Sequence, residues 1–393
     1  MAECKIKVMK GMVLEKKICS GCGACEEGCP HQSITMTLDS EGFRYPIIDP
    51  EKCVSCKKCE RVCPVLNPPS ISENTIALAA KNTDIEVRKR SSSGGVFSAL
   101  AERVLARGGI VCAAVFDENQ AVNHVIVESY DGIEAMRGAK YVQSVTEQCF
   151  KIIKEALIED RSVLFVGTPC QTAGLYKFLG KKYESLILID MICHGVPSPK
   201  VWDRYLQERK KTDVRDVSID KINLRCKDSG WTKYSYSVQI QYKNGEEYRL
   251  PQGKDVFMQG FIRNLYLRPS CSHCGFKGIE RCSDLTLGDC WGIWDIAPEF
   301  DDNQGTSLLL IHSATGQKIW EEISPKFASL ELSPEEAVSQ NPSALQSSAP
   351  HENRDRFFER LDDCPSVSSL IQECLFLQEK KSLLQRIKDR FRI

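Results

Sequence analysis

The stretch Ser162–Leu175, SVLFVGTPCQTAGL, decides how the rest of the chain is read. Val163–Val166 make a continuous apolar run of the kind buried on both faces of a sheet, Gly-Thr-Pro turns the chain, and a helix is expected from Cys170. A phosphate loop would carry more glycines and a lysine at this corner, and a hydrolase elbow a serine. The thiol needs another explanation. A second apolar run, SLILIDMICHG from Ser185, follows the helical stretch and ends in Cys193. Strand, helix and strand in that order predict a parallel pair whose carboxyl ends share one sheet edge, where open α/β sheets bind ligands.

Farther out, GGIVCAAVF from Gly108 and VNHVIVES from Val122 read as further strands. Residues 77–335 are therefore expected to form an α/β domain with a largely parallel sheet, in two parts, 77–160 and 161–335. SGGVFSALAERVLARG from Ser93 sets Val96, Phe97, Leu100, Val104 and Leu105 on one helical face, with Gly108 and Gly109 as its stop. VQIQYKNGEEYRL from Val238 reads as a hairpin turning at Asn244-Gly245. Pro-Pro and small polar residues mark a linker over 67–76, and a polar stretch a second over 336–354. Segment 355–393 reads as a C-terminal helical tail. Its basic end (Lys380, Lys381, Arg386, Arg390, Arg392) suits a helix docked on the same chain or one lying on a membrane surface.

The chain has 393 residues, 42% of them hydrophobic, with a net charge of -1, which fits a globular protein of two or three domains. That balance gives no electrostatic case for nucleic acid. The first residues, MAECKIKVMKGMVLEKK, lack the apolar core of a secretory signal, and no apolar run approaches the roughly 18 residues of a membrane span. A cytoplasmic location without a membrane span is expected.

Cysteine is the outlying residue, with 20 in the chain. In a long cytosolic chain clustered cysteines point to metal or redox groups before disulfides. CSGCGACEEGCP holds Cys19, Cys22, Cys25 and Cys29, and CVSCKKCERVCP holds Cys53, Cys56, Cys59 and Cys63. Both follow the C-x2-C-x2-C-x3-C-P run of bacterial two-cluster ferredoxins, in which the fourth cysteine completes the other cluster. Cys19, Cys22, Cys25 and Cys63 are thus expected to hold one 4Fe-4S cluster, and Cys53, Cys56, Cys59 and Cys29 the other. Residues 1–66 become an α+β ferredoxin domain, with a zinc module as the alternative.

RPSCSHC adds the hook Cys271 and Cys274, and Cys282 and Cys290 follow. A site joining the hook to the strand-end cysteines, Cys170 and Cys193, has geometric logic. A zinc ribbon of Cys271, Cys274, Cys282 and Cys290 is arithmetically open, although its second pair is wide. Cys112, Cys149, Cys226, Cys364 and Cys374 read as small buried hydrophobes.

SSSGGVFSAL from Ser91, GAKYVQS from Gly138, GTPCQTAGL from Gly167, CHGVPSP from Cys193, RPSCSHC from Arg268 and SDLTLGDCWGI from Ser283 together resemble the beta-subunit family of coenzyme F420-reducing hydrogenases and dehydrogenases, which also includes chlorophyll-cycle reductases. The resemblance implies an iron–sulfur flavoprotein that binds FAD and passes electrons between clusters, flavin and a hydride-handling small molecule, F420 or another. It implies a third 4Fe-4S cluster on Cys170, Cys193, Cys271 and Cys274. Cys282 and Cys290 are extra to the family pattern and leave that ligand set open.

The resemblance also implies a flavin site. Ser92, Ser93, Gly94 and Gly95 would offer backbone amides and hydroxyls to a pyrophosphate at a helix N-terminus. A serine cap with glycines for close packing is the other reading. Lys140, Tyr141 and Gln143 would be flavin neighbours. His194 is a candidate proton donor or a histidine satisfied by its surroundings. The expected protein is an oxygen-sensitive oxidoreductase served by a ferredoxin or hydrogenase-like subunit. A flavin-free electron relay within a larger complex, and a zinc scaffold, are the alternatives.

Overall fold

The structure, a computed structural model, describes residues 14–72 and 74–376. The N-terminal 13 residues and the basic end of the tail lie outside the described residues.

Two short helices, Ala24–Glu27 and Lys58–Arg61, each begin inside a cysteine run. Between them lies an antiparallel hairpin, Ile34–Leu38 with Arg44–Ile48. Gly42, at φ 85°, makes its turn. Ile34, Phe43 and Tyr45 pack with Cys19, Cys29 and Cys63 into a small core of their own.

The main sheet has eight strands: β1 (Ile76–Asn82), β2 (Ile110–Phe116), β3 (Val122–Val127), β4 (Val163–Gly167), β5 (Leu186–Met191), β6 (Leu285–Asp289), β7 (Ser307–Ile311) and β8 (Phe327–Leu332). Their order is β8-β1-β7-β6-β5-β4-β2-β3. Only β2 with β4, β4 with β5 and β5 with β6 are parallel. The remaining pairs are antiparallel. The sheet is therefore mixed, and the expectation of a largely parallel one is corrected. The reason lies partly in loop length: Asp117–Ala121 is too short for a crossover, so β3 folds straight back on β2. Asp117 Oδ1 accepts the amides of Asn119 and Ala121 in that turn. The strand–helix–strand unit is where the sequence pattern put it, with Pro169–Leu179 joining β4 to β5.

A three-stranded antiparallel sheet, Ile219–Cys226, Ser237–Tyr242 and Glu247–Pro251, stands beside the main one, and its hairpin turns at Gly245. Trp202, Tyr205, Phe257, Tyr266 and Phe357 form an aromatic core beneath it. The described part of the tail is the helix Arg354–Leu361 and a second beginning at Val367; Phe357, Leu361, Leu370, Ile371 and Cys374 are buried in that same core. Residues 336–354 carry buried Ala337, Val338 and Ala344 on the short helices Pro334–Val338 and Pro342–Leu345, so this polar stretch packs onto the sheet. Among the described residues no helix is long and apolar enough to cross a membrane.

Two histidines are built in neutral. His124 stacks on Phe165 with Nε2 3.0 Å from the Val166 carbonyl, and burial lowers its pKa to about 4. His312 lies between Thr75 and Thr286, and burial lowers it to about 3. The unfolded chain binds these protons from about pH 6.5 downward while the native state refuses them. Stability should therefore fall as pH drops from about 6.5 toward 4. Anaerobic urea titrations across that range should show a shallower decline in His124→Gln than in the parent.

Candidate functional site

Cys19, Cys22, Cys25 and Cys63 line one small cavity with Leu14, Met36 and Pro46. Burial pushes the Cys22, Cys25 and Cys63 thiols up, and neighbouring thiolate charge adds to it. The fourth cysteine of the second run thus stands with the first three of the first run. On the other side, Cys59 has Cys29 as its thiol neighbour, and Cys56 is exposed. Burial acts to raise Cys29, but hydrogen bonds with Ser33 hold it below its ordinary value. The crossed grouping follows from the two short helices, each of which carries its run's last cysteine away from the loop that begins it.

The corner at Gly167–Cys170 is built by a helix start. Pro169 takes the first helical position, where its missing N–H costs nothing. Gln171 Oε1 accepts the Thr168 amide at 3.0 Å. Gly167 stands opposite Asp190 in the β4–β5 register, so Cys170 and Cys193 leave the sheet at one edge. Arg268-Pro269 ends the approach to the hook, and the bridge between Pro197 and Leu267 ties the hook's lead-in to the loop after Cys193.

Cys170, Cys193, Cys271 and Cys274 line one cavity of about 270 Å³. Burial pushes the thiols of Cys170, Cys193 and Cys271 up to about 12, and the thiolate charges of the set act on one another. A thiol so held is not a nucleophile at neutral pH. It ionises against a cation, which is the donor chemistry of a metal centre. Cys282 lines the same cavity but faces Asp190, and Cys290 is 0% exposed in a separate core with Trp231. The four cysteines of the zinc-ribbon alternative are therefore not one group. Among the described residues no three Cys, His, Asp or Glu side chains converge tightly enough to hold a single metal ion. Ligands at the corners of a four-iron cluster stand farther apart than those of one ion.

The cavity is walled on its far side by the ferredoxin-like region and the segment after it: Ile18, Ser20, Pro64, Val65, Pro68 and Pro69. His194 lies in the same wall. Its Nε2 is 2.6 Å from Asn264 Oδ1 and its Nδ1 3.2 Å from Ser343 Oγ, and burial lowers its pKa. Lys277 Nζ donates to the Cys193 carbonyl at 2.5 Å.

The expected flavin residues divide. Gly94 packs flat against the sheet: a Cβ there would come 2.2 Å from the Ala80 carbonyl, and its amide donates to Ser307 Oγ. Gly95, at φ 88°, starts the helix Val96–Leu105, whose first turn has no side-chain cap. Ser93 Oγ donates to the Thr306 carbonyl. Lys140 Nζ donates to the carbonyls of Ala135, Arg137 and Gly138, and burial lowers it to about 7. Tyr141 stacks on Phe261 and its hydroxyl accepts from Arg225. Gln143 faces away, bonded to the Ser20 carbonyl and to Arg268.

Beside Ser93 the structure holds polar atoms that the sequence did not announce. Arg225 Nε and Nη2, Asp289 Oδ1 and Thr306 Oγ1 are buried with no hydrogen-bond partner among the described residues. They meet where β6 ends, with Arg225 Nη1 2.7 Å from Asp289 Oδ2. No spacing rule links an arginine on one sheet to an aspartate on another, so these residues carried no sequence signal. Arg268 did carry one, the Arg-Pro step before the hook, but only as a helix stop.

A two-run ferredoxin-like region packed over a sheet edge that gathers four more thiols defines an iron–sulfur redox protein. The chain belongs to the coenzyme F420 hydrogenase/dehydrogenase beta-subunit family: the family's N-terminal model matches residues 77–150 and its C-terminal model residues 160–337. A 4Fe-4S dicluster domain matches residues 18–67. A subunit of the F420H2 dehydrogenase of Methanosarcina mazei is 26% identical over 280 residues, 67% of this chain and 72% of that one. A ferredoxin of Sorangium cellulosum is 37% identical over 89 residues, 19% of this chain and 83% of its own. A chain of the F420-reducing NiFe hydrogenase complex from Methanosarcina barkeri is 17% identical, with a TM-score of 0.42 over 79% of this chain and 91% of its own.

Gly94→Ala should cost about 1–3 kcal/mol through overpacking against β1 and β7, read as a lower unfolding midpoint in anaerobic thermal melts. The same change at Gly253, where a Cβ meets open space, should leave the midpoint close to the parent's.

Proposed function

We propose that this chain is a cytoplasmic iron–sulfur flavoprotein oxidoreductase. It moves electrons between a redox partner protein and a hydride-handling small molecule, F420 or another. The reading rests on one observation, the cavity shared by four thiols of the sheet edge and the ferredoxin-like region. In this reading Cys53, Cys56, Cys59 and Cys29 hold the outward cluster, Cys19, Cys22, Cys25 and Cys63 the middle one, and Cys170, Cys193, Cys271 and Cys274 the inner one. When bound, the clusters supply one-electron transfer and FAD the conversion between a hydride's electron pair and single electrons.

The protein's own residues do the rest. The exposed loop around Cys56 offers the partner its point of approach, while Pro64, Val65 and Pro69 keep water from the inner thiols. Ser92, Ser93 and the uncapped first turn after Gly95 would take the pyrophosphate, and the unpartnered atoms of Arg225, Asp289 and Thr306 would meet polar groups of the cofactor. Lys140 and Tyr141 would close that site. His194, already bonded through both ring nitrogens, would position the Cys193 loop and not move a proton.

A flavin-free relay is the second reading. Lys140 favours it, because its ammonium already donates to three carbonyls and has nothing left for a phosphate.

Iron, sulfide, zinc and FAD measured on one anaerobic preparation test both. About 12 iron atoms with one FAD are expected; about 8 with none would replace the main reading by the relay, and zinc by a scaffold. Cys170→Ser should remove about four iron atoms and spare the two N-terminal clusters. Unchanged iron would return Cys170 to a core cysteine.

A further inference from the structure

Arg268 is the largest charged side chain sealed inside the protein, 1% exposed. Among the described residues no carboxylate pairs with it, and its donors go to neutral groups. Nε donates to the Cys19 carbonyl at 2.8 Å, Nη1 to Gln143 Oε1 at 3.0 Å and Nη2 to the Arg44 carbonyl at 2.9 Å. Nη2 also lies 3.9 Å from Cys19 Sγ. The guanidinium stacks over Tyr45, 4.2 Å from the ring centroid, and a Cβ on Gly21 would come 2.8 Å from Nη1. On its other side Arg268 lines the cavity of Cys170 and Cys271, and its charge acts on both thiols.

A buried charge without a counter-charge is costly, and arginine does not escape by deprotonation. The groups beside it that carry negative charge once they ligate a cluster are Cys19 of the middle group and Cys170 and Cys271 of the inner group. We infer that Arg268 is a positioning residue shared by the middle and inner clusters: one fixed cation, seated between them, raises the reduction potential of both. The inference rests on the proposed cluster sites. Each reduction adds one electron to a cluster and forms or breaks no bond. The added negative charge is favoured by a cation held in a low dielectric. Lys277, which donates to the Cys193 carbonyl, is a second cation at the inner thiols and acts on Cys193.

The test is a dithionite titration of the full-length, anaerobically purified protein, followed by electron paramagnetic resonance, with iron counted on the same sample. Arg268→Gln should lower the one-electron reduction constant of both clusters about tenfold, a shift of about 59 mV for one electron. Arg268→Lys should restore a large part of it. Gln143→Glu is the second variant, because it sets a carboxylate against Nη1 and offsets the charge while the arginine keeps its packing. It should shift both potentials the same way by a smaller amount. Full iron with unchanged potentials in Arg268→Gln overturns the inference. If Arg268→Gln loses iron, Gln143→Glu decides, and unchanged potentials there overturn it equally. A parent protein with about 8 iron atoms would overturn the inner-cluster reading instead. The potential of the middle cluster would then still report on Arg268.

Discussion

Thiols held out of water are poor acids, and a guanidinium held out of water cannot lose its charge. Those two facts meet at the seam between the ferredoxin-like region and the sheet edge, and much of the molecule is arranged around them. Cys170, Cys193 and Cys271 are pushed to about 12 by burial, so as ligands they need positive charge nearby. Arg268 has its charge surrounded by carbonyls and an amide, so it needs negative charge nearby. Both sets of groups come together only because the ferredoxin-like region and the sheet edge are in contact.

The mixed sheet is suited to that task. Its parallel centre, β2, β4, β5 and β6, sends the carboxyl ends of all four strands to one edge, and two of those ends bring Cys170 and Cys193 to one cavity. On its antiparallel flank the helix Ala314–Ile323 carries the chain from β7 to β8, on either side of β1, and the ferredoxin-like region covers part of the carboxyl edge of the parallel centre. The contact is close. Cys22 Sγ would be 3.0 Å from a Cβ on Gly174, in the helix that begins at the Cys170 corner, and Thr146 donates to the Cys22 carbonyl. A glycine at 174 lets a thiol of one group approach the element that carries a thiol of the other.

The same edge separates two chemistries. Toward Cys170 and Cys193 the walls bring four thiols together with prolines and with the cations of Arg268 and Lys277. Toward the end of β6 they are Arg225, Asp289 and Thr306, polar and incompletely paired. Buried polar atoms without partners are rare in native proteins and mark places where something polar belongs. A cavity lined by four thiols and a cluster of incompletely paired polar atoms drawn from both sheets thus lie in one chain.

The cysteine runs were legible because their chemistry is local: ligand spacing within a dozen residues is written in the chain, and so is the exchange of the fourth cysteine. The strand–helix–strand unit at Ser162–Met191 was legible for the same reason, since an apolar run, a turn and a helix start are consecutive. The sheet's overall sense was not, because strand direction depends on connections such as Asp117–Ala121 and on which edges remain to be paired. The sequence also could not separate Cys290 from the hook at Cys271 and Cys274, because they lie within one short stretch. Only the tertiary structure keeps Cys282 in the hook's cavity and sends Cys290 into the core. Arg268 is the sharpest case: in the chain it is a residue before a proline, and only packing brings its Nε to 2.8 Å from the carbonyl of Cys19, 249 positions away.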